Sequence, residues 1–273
     1  MQQTEFCTIL LYMTEITKES PISDSLSPAQ EKEIEEMLKA GVHLGHSKSK
    51  KHPAMQPYIF GVRNSVLIID LTKTKEKLAQ AQEFIRKSVS SGGQILLVGT
   101  RPAAKKVILE TAEKTGMPYQ ADRWIGGTLT NFKAIAKRVE YMENLEKEKA
   151  TGGFEKYTKR EILKKTEEIG KLQKKFNGIR NLKKLPAAIF VVDITQDEIA
   201  VKEARKMNVP VVALADTNSD YNMINWPVPS NDDALPAVTL MAGKITESIL
   251  EGIQEQASVP AEGPKEPEQK KEE

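Results

Sequence analysis

Ala187-Ala-Ile-Phe-Val-Val-Asp193 and Pro210-Val-Val-Ala-Leu-Ala-Asp216 flank Glu198-Ile-Ala-Val-Lys-Glu-Ala-Arg-Lys-Met207, and this trio decides the fold class. The outer segments are unbroken apolar runs of strand length, without the alternation that marks a sheet with one wet face. The segment between them reads as an amphipathic helix, so the unit is strand, helix, strand, the signature of a parallel sheet.

The same pattern extends outward. Gln94–Gly99 reads as a buried strand, Ala103–Lys114 as a helix and Tyr119–Trp124 as a short strand. Val66–Asp70, an apolar run after the Arg63-Asn64 turn signal, leads into a helix starting near Thr72 with Leu78, Ala81, Phe84 and Ile85 on one face. Ser27-Pro28 offers a helix start, with Ile34, Met37 and Leu38 as its apolar face and an end near Gly41. Trp226–Pro229 adds a short last strand and Ala234–Glu251 a last helix. Apolar strands alternating with amphipathic helices imply a three-layer α/β fold whose parallel sheet is covered on both faces.

One interval breaks the pattern. Residues 130–184 contain no strand candidate and divide at Thr151-Gly152-Gly153 into two helical halves. Ile135, Val139, Met142 and Leu145 form one stripe; Ile162, Ile169, Leu172, Phe176 and Ile179 form the other. Thr158 with Glu161 makes a capping box that starts the second half. These 55 residues hold sixteen Lys/Arg against eight Asp/Glu, and narrow apolar stripes between wide charged faces suit a projecting antiparallel coiled-coil hairpin. Ordinary core helices packed on the sheet are the alternative. The expected organisation is a flexible extension over 1–30, an α/β domain over 31–130 and 185–256, the hairpin over 131–184, and a disordered tail over 257–273.

The net charge of +2 conceals a strong asymmetry. Residues 1–40 and 247–273 each carry three Lys/Arg and eight Asp/Glu, so each end sums to −5 and residues 41–246 to +12. A folded part with that excess favours a polyanionic partner, since each phosphate met by Lys or Arg releases condensed counterions. The single cysteine, Cys7, provides no intramolecular disulfide and no cysteine-based zinc site, which fits a reducing cytoplasm. Phe6–Met13, the apolar run near the start, is too short to span a bilayer and lacks the basic residues that precede a signal-peptide core.

Met37-Leu-Lys-Ala-Gly-Val-His-Leu-Gly-His46, Pro57-Tyr-Ile-Phe-Gly-Val-Arg-Asn64 and Ile68-Ile-Asp-Leu-Thr-Lys-Thr74 open a collinear series of motifs. It continues through Leu97-Val-Gly-Thr100, Arg123-Trp-Ile-Gly-Gly-Thr-Leu-Thr-Asn-Phe132, Leu185–Asp193, Asp216-Thr-Asn218 and Pro229-Ser-Asn-Asp-Asp-Ala234. Over residues 31–252 the chain resembles the bacterial uS2 (S2) family of small-subunit ribosomal proteins. The resemblance implies a flavodoxin-like α/β domain with an inserted coiled-coil hairpin and a structural role in the 30S subunit. It also implies contacts with 16S ribosomal RNA and other small-subunit proteins and, in many bacteria, docking of ribosomal protein bS1. The chain departs from the family pattern at Lys50-Lys51-His52, at Pro102 and at Ser230, and its N-terminal extension has no counterpart in the commoner bacterial members.

The RNA-facing candidates follow from residue chemistry and from this resemblance together. His46-Ser-Lys-Ser-Lys-Lys-His52 is a compact basic loop in which Lys48, Lys50 and Lys51 can meet phosphate oxygens without reading sequence. Arg123 and Asn131 flank a glycine-bearing segment that lets a backbone approach closely, with Trp124 read as core. Arg101, Lys105 and Lys106 stand at a helix start, where amides favour anions. Arg63, Lys133, Arg138, Lys175 and Arg180 complete the set.

His43, His46, Asp193 and Asp216 are candidate ligands for a structural divalent ion, against the plainer reading of hydrogen-bonded histidine and capping aspartate. No P-loop and no GxGxxG opening a helix occurs, so no nucleotide cofactor is expected. An enzyme or phosphoacceptor using Asp70, Asp193 and Asp216 is the rival reading, opposed by the lack of a positioned nucleophile and base. An adaptor binding only proteins is a third, and it predicts binding that changes little with salt.

Overall fold

The structure, a computed structural model, describes residues 28–258. Expectations for the N-terminal extension, Cys7 and the tail beyond residue 258 lie outside the described residues. The elements in chain order are α1 (Pro28–Ala40), β1 (Leu44–Ser47), β2 (Ile59–Arg63), β3 (Val66–Ile69), α2 (Leu71–Ser90), β4 (Ile95–Val98), α3 (Pro102–Thr115) and β5 (Tyr119–Gln120). They continue with α4 (Phe132–Ala150), α5 (Lys159–Phe176), β6 (Ala188–Val191), α6 (Glu198–Lys206), β7 (Val211–Ala215), β8 (Trp226–Pro229) and α7 (Leu235–Ser258).

Five strands form a parallel sheet in the order β5-β4-β6-β7-β8. Successive strand residues point to opposite faces, and the two faces carry separate cores. Ile95, Leu97, Phe190, Val212 and Leu214 meet α1, α2, α3 and α7 on one side. Leu96, Val98, Ile189, Val191, Val211 and Ala213 meet α6, the loop around Trp124 and the base of α4 and α5 on the other. Because β4 is followed by β5 on one side and β6 to β8 run away on the other, the strand order reverses between β4 and β6. In open α/β sheets that point is where ligands enter.

Val66–Asp70 does not join this sheet, contrary to the sequence expectation. Val66–Ile69 is the central strand of a separate antiparallel sheet, in the order β1-β3-β2. The cause is local: Asn64 and Ser65 both hold positive φ, 49° and 65°, the backbone of a two-residue hairpin that folds β3 directly back on β2. β1 and β2 had no distinct periodicity in the sequence. The strand proposed over Tyr119–Trp124 is only two residues long, and the last helix runs to Ser258, past both Glu251 and the expected start of the tail.

The helical interval breaks at Thr151, and the Glu161 carboxylate accepts from the Thr158 N–H and hydroxyl, both at 2.9 Å, to open α5. The two stripes divide their burial. Ile135, Val139, Met142, Phe176 and Ile179 belong to the second core of the parallel sheet. Farther out, Leu145, Phe154 and Ile169 make a small cluster of their own, flanked by Tyr157, Ile162 and Leu172. The base of the helical pair is thus sheet core, as the alternative reading held, while its far end packs on itself.

This division sets different costs for two truncations. Met142→Ala, at a fully buried site, should lower global stability by about 2–5 kcal/mol in urea unfolding. Phe154→Ala should instead accelerate hydrogen exchange within residues 145–172 and leave exchange in β4 and β6 unchanged. Equal acceleration in the sheet strands would show that the far end of the pair is coupled to the main core.

Candidate nucleic-acid interface

Among the expected cations, the structure gathers four in one place. The turn Lys48–Lys50 follows β1, and the Lys48 N–H donates to the Ser65 carbonyl at 2.9 Å, bringing the Arg63–Val66 turn beside the basic loop. Two bonds to Thr217, after β7, fix this assembly to the parallel sheet: His46 N–H to its hydroxyl at 2.9 Å and His52 N–H to its carbonyl at 2.8 Å. Lys48, Lys50 and Arg63 are exposed and Lys51 is half-buried. None of the four meets a carboxylate at ion-pair distance among the described residues.

Arg123, Asn131 and Lys133 lie on the loop and helix start beyond β5, all exposed. The loop is shaped by a residue that the sequence reading did not single out. Glu203 of α6 is buried, and its carboxylate accepts from the Trp124 indole N–H (3.2 Å), from the N–H groups of Gly127 (2.7 Å), Leu129 (3.1 Å) and Thr130 (3.1 Å), and from the Thr130 hydroxyl (3.1 Å). Burial pushes its pKa up, but the Gly127, Thr130 and Leu129 amides and the indole outweigh that and hold it below the usual glutamate value. Gly127 supplies the left-handed backbone, φ 90°, that aims its amide inward. Trp124 is core, as expected. A signal for Glu203 was present in the sequence: it falls on the same face of the helix as Ala200 and Ala204, where an ordinary amphipathic helix would carry an apolar residue.

Other expected cations are occupied internally. Arg101 follows β4 at the strand-order reversal, and its side chain is 26% exposed. Its guanidinium meets Asp193 at 2.8 Å, Asp232 at 3.1 Å and Asp233. Burial alone would lower its pKa, and these carboxylates with Asp216 raise it instead. Three carboxylates of the same chain thus already hold the Arg101 charge, and a phosphate contact there would compete with them. Lys105 pairs with Asp122, and Lys106 lies 3.8 Å from Glu110. Arg180 makes a two-oxygen contact with Glu146, at 2.9 and 2.8 Å, locking the end of the helical pair to α4. Lys133, Arg138 and Lys175 remain exposed on α4 and α5.

The metal expectation is also revised. His46 and Asp216 do come together, Nδ1 to Oδ2 at 3.0 Å, and the third member is Asp233 rather than His43 or Asp193. His43 is buried apart from the group and its pKa is lowered by burial. Asp193 accepts from the N–H groups of Thr195 and Gln196 and faces Arg101. The rival catalytic reading loses its free carboxylates in the same way, since Asp70 caps α2 through the Thr72 N–H at 3.0 Å. Asp232 sits fully buried in this group; burial first, then Asp193 and Asp216, push its pKa up to about 8.

The sequence matches the profile of ribosomal protein S2 over residues 37–252. The chain belongs to the ribosomal protein S2 family. It is 44% identical over 226 residues to the small ribosomal subunit protein uS2 of Roseiflexus castenholzii, covering 83% of this chain and 86% of that one. It is 42% identical over 235 residues to the uS2 protein of Mycobacteroides abscessus, with 86% and 84% covered. The uS2 protein of Nocardia farcinica is 42% identical over 235 residues, with 86% and 82% covered. As a member of the S2 family the chain is a structural component of the small ribosomal subunit and not an enzyme. No helix among the described residues is long and apolar enough to cross a membrane.

The Glu203 assembly gives a test specific to this loop of the S2 fold. Glu203→Ala strands four buried or half-buried donors and should cost about 3 kcal/mol or more in urea unfolding at pH 7. Because the folded pKa is lowered, the carboxylate's contribution is present above the ordinary value of about 4.3 and is lost as pH falls through the folded value. The stability gap between wild type and Glu203→Gln should accordingly narrow from pH 7 toward pH 3. A gap independent of pH would show that the ionised carboxylate does not hold the loop.

Proposed function

We propose that this chain holds 16S ribosomal RNA through phosphate contacts made by Lys48, Lys50, Lys51 and Arg63. Arg123, Asn131 and Lys133 on the loop ordered by Glu203, and Arg138 and Lys175 on the helical pair, extend the same surface. The observation that carries this reading is the partition of charge. Cations at the sheet's ligand-entry point are neutralised by carboxylates of the same chain, whereas the four at the β1 and β2–β3 turns have no internal partner among the described residues. Unpaired cations on a hydrogen-bonded platform contact a polyanion without first breaking ion pairs. Affinity then comes from phosphates and specificity from the shape of the folded RNA.

Protein partners belong to the same reading. Leu44, Phe60 and Val62 of the small antiparallel sheet are exposed, and neighbouring small-subunit proteins, bS1 among them, are assigned to these apolar side chains. A single cysteine and a ribosomal role together support a cytoplasmic, ribosome-associated location.

The triple variant Lys48→Glu, Lys50→Glu, Lys51→Glu tests the loop directly. Its urea midpoint should match wild type, while its occupancy of small subunits in sucrose-gradient fractions should fall at least about tenfold near 0.1 M salt. Lys87→Glu, Lys106→Glu, Lys202→Glu makes the same change in net charge at lysines paired within their own helices, and should retain occupancy. Equal loss in both variants would mean that total charge, not this loop, governs binding.

A further inference from the structure

A cavity of about 420 Å³ lies beside the β5 edge of the parallel sheet, bordered by α3 and by the end of α5. Asp193, Asp232 and Asp233, which hold Arg101, do not line it. One wall is set by a close backbone approach: a Cβ on Gly178 would stand 2.2 Å from the Tyr119 carbonyl oxygen and 2.8 and 2.9 Å from two carbons of the Tyr119 ring. Only glycine therefore lets the turn after α5 lie against β5.

The lining combines three kinds of group. Tyr119 contributes a half-buried aromatic ring, Gln120 and Asn177 side-chain amides, and Lys174 and Lys175 exposed ammonium groups. Lys105 also lines the cavity but is neutralised by Asp122, whereas neither Lys174 nor Lys175 meets a carboxylate at ion-pair distance among the described residues. The group that points to a ligand is Gln120. It is 4% exposed, and its amide nitrogen has no hydrogen-bond partner among the described residues. Flipping the amide exchanges an orphan donor for an orphan acceptor and leaves the deficit in place. Such a group is costly to bury unless a polar partner enters the cavity.

We propose that this cavity takes one nucleotide extruded from ribosomal RNA, with its base against Tyr119 and Gln120 and its flanking phosphates at Lys174 and Lys175. A nucleobase has both the flat face on which an aromatic ring stacks and the donor and acceptor edge that an amide pairs with. The volume lies within the roughly 300–1,000 Å³ of small-molecule sites. RNA is favoured over a free nucleotide because the cavity borders α5, where Lys164 and Lys171 are exposed and unpaired among the described residues as well. A polymer can meet such a run of cations, and a single nucleotide cannot. This site presupposes that the chain binds RNA through phosphates, and adds recognition of one base.

The test measures the affinity of the full chain for 16S ribosomal RNA across a KCl series. Gln120→Leu removes the amide without emptying the space, so the urea midpoint should hold or rise while RNA binding weakens about tenfold with an unchanged salt slope. Tyr119→Leu should weaken binding by a similar factor, and Tyr119→Phe, which keeps the ring, should match wild type. Unchanged affinity in Gln120→Leu, or equal loss in Tyr119→Phe and Tyr119→Leu, in a chain whose wild-type affinity falls with salt, overturns the cavity and leaves the phosphate contacts standing. A wild-type affinity indifferent to salt overturns both. AMP, GMP, CMP and UMP, added singly at millimolar concentration, should leave RNA binding undisturbed. A mononucleotide that displaces the RNA from wild type but not from Gln120→Leu would assign the cavity to a free nucleotide and overturn the RNA source.

Discussion

One guanidinium closes the place where this fold would otherwise take a ligand. A parallel sheet delivers its strand ends and helix starts to one edge, and the reversal of strand order between β4 and β6 leaves a gap there. Arg101 fills it, meeting Asp193 from the end of β6 and Asp232 and Asp233 from the turn before α7. Three chain segments distant in sequence are thus held by one side chain, and removing it would leave several carboxylates buried without a counter-charge. The closure decides what the protein has left to offer. Its functional chemistry lies on the loops that the sheet supports, not in a pocket within it.

Those loops are rigid for reasons that can be named. Thr217 ties the basic loop to the end of β7 through His46 and His52, and the Asn64-Ser65 hairpin sets Arg63 beside it. Glu203 gathers the amides of the Trp124–Thr130 segment around one carboxylate. Arg180 and Glu146 fasten the helical pair at its base. In each case an interior polar contact positions an exterior cation, and the conformational entropy of the loop is lost on folding rather than on binding.

The three-layer sheet was legible in the sequence because its strands are continuous apolar runs, as in Ile95–Val98 and Val211–Ala215, and because the helices between them keep a 3.6-residue stripe. The antiparallel sheet was not, since Leu44–Ser47 is a four-residue strand with a bulged register and Ile59–Arg63 has a half-exposed pattern without clean alternation. The division of the helical pair was hidden because a stripe facing another helix and a stripe facing a sheet share one periodicity. Cations such as Lys48 were readable as free because their own loop has no acid. The role of Arg101 depended on Asp232 and Asp233, more than a hundred residues away, and no local pattern carries such a pairing. Glu203 was the one determinant whose signal, a carboxylate on an apolar helix face, stood in the sequence unread.

The central claim is that unpaired cations on this scaffold meet RNA phosphates, and the most direct measurement is the affinity of the purified chain for 16S ribosomal RNA as KCl is raised. The expected result is a linear fall of log affinity with log salt, with a slope of about −3 from the four cations of the β1 and β2–β3 turns and steeper as the cations of the Glu203 loop and the helical pair add contacts. An affinity that holds constant across the same range would contradict it, and would mean that the chain joins the subunit through protein contacts alone.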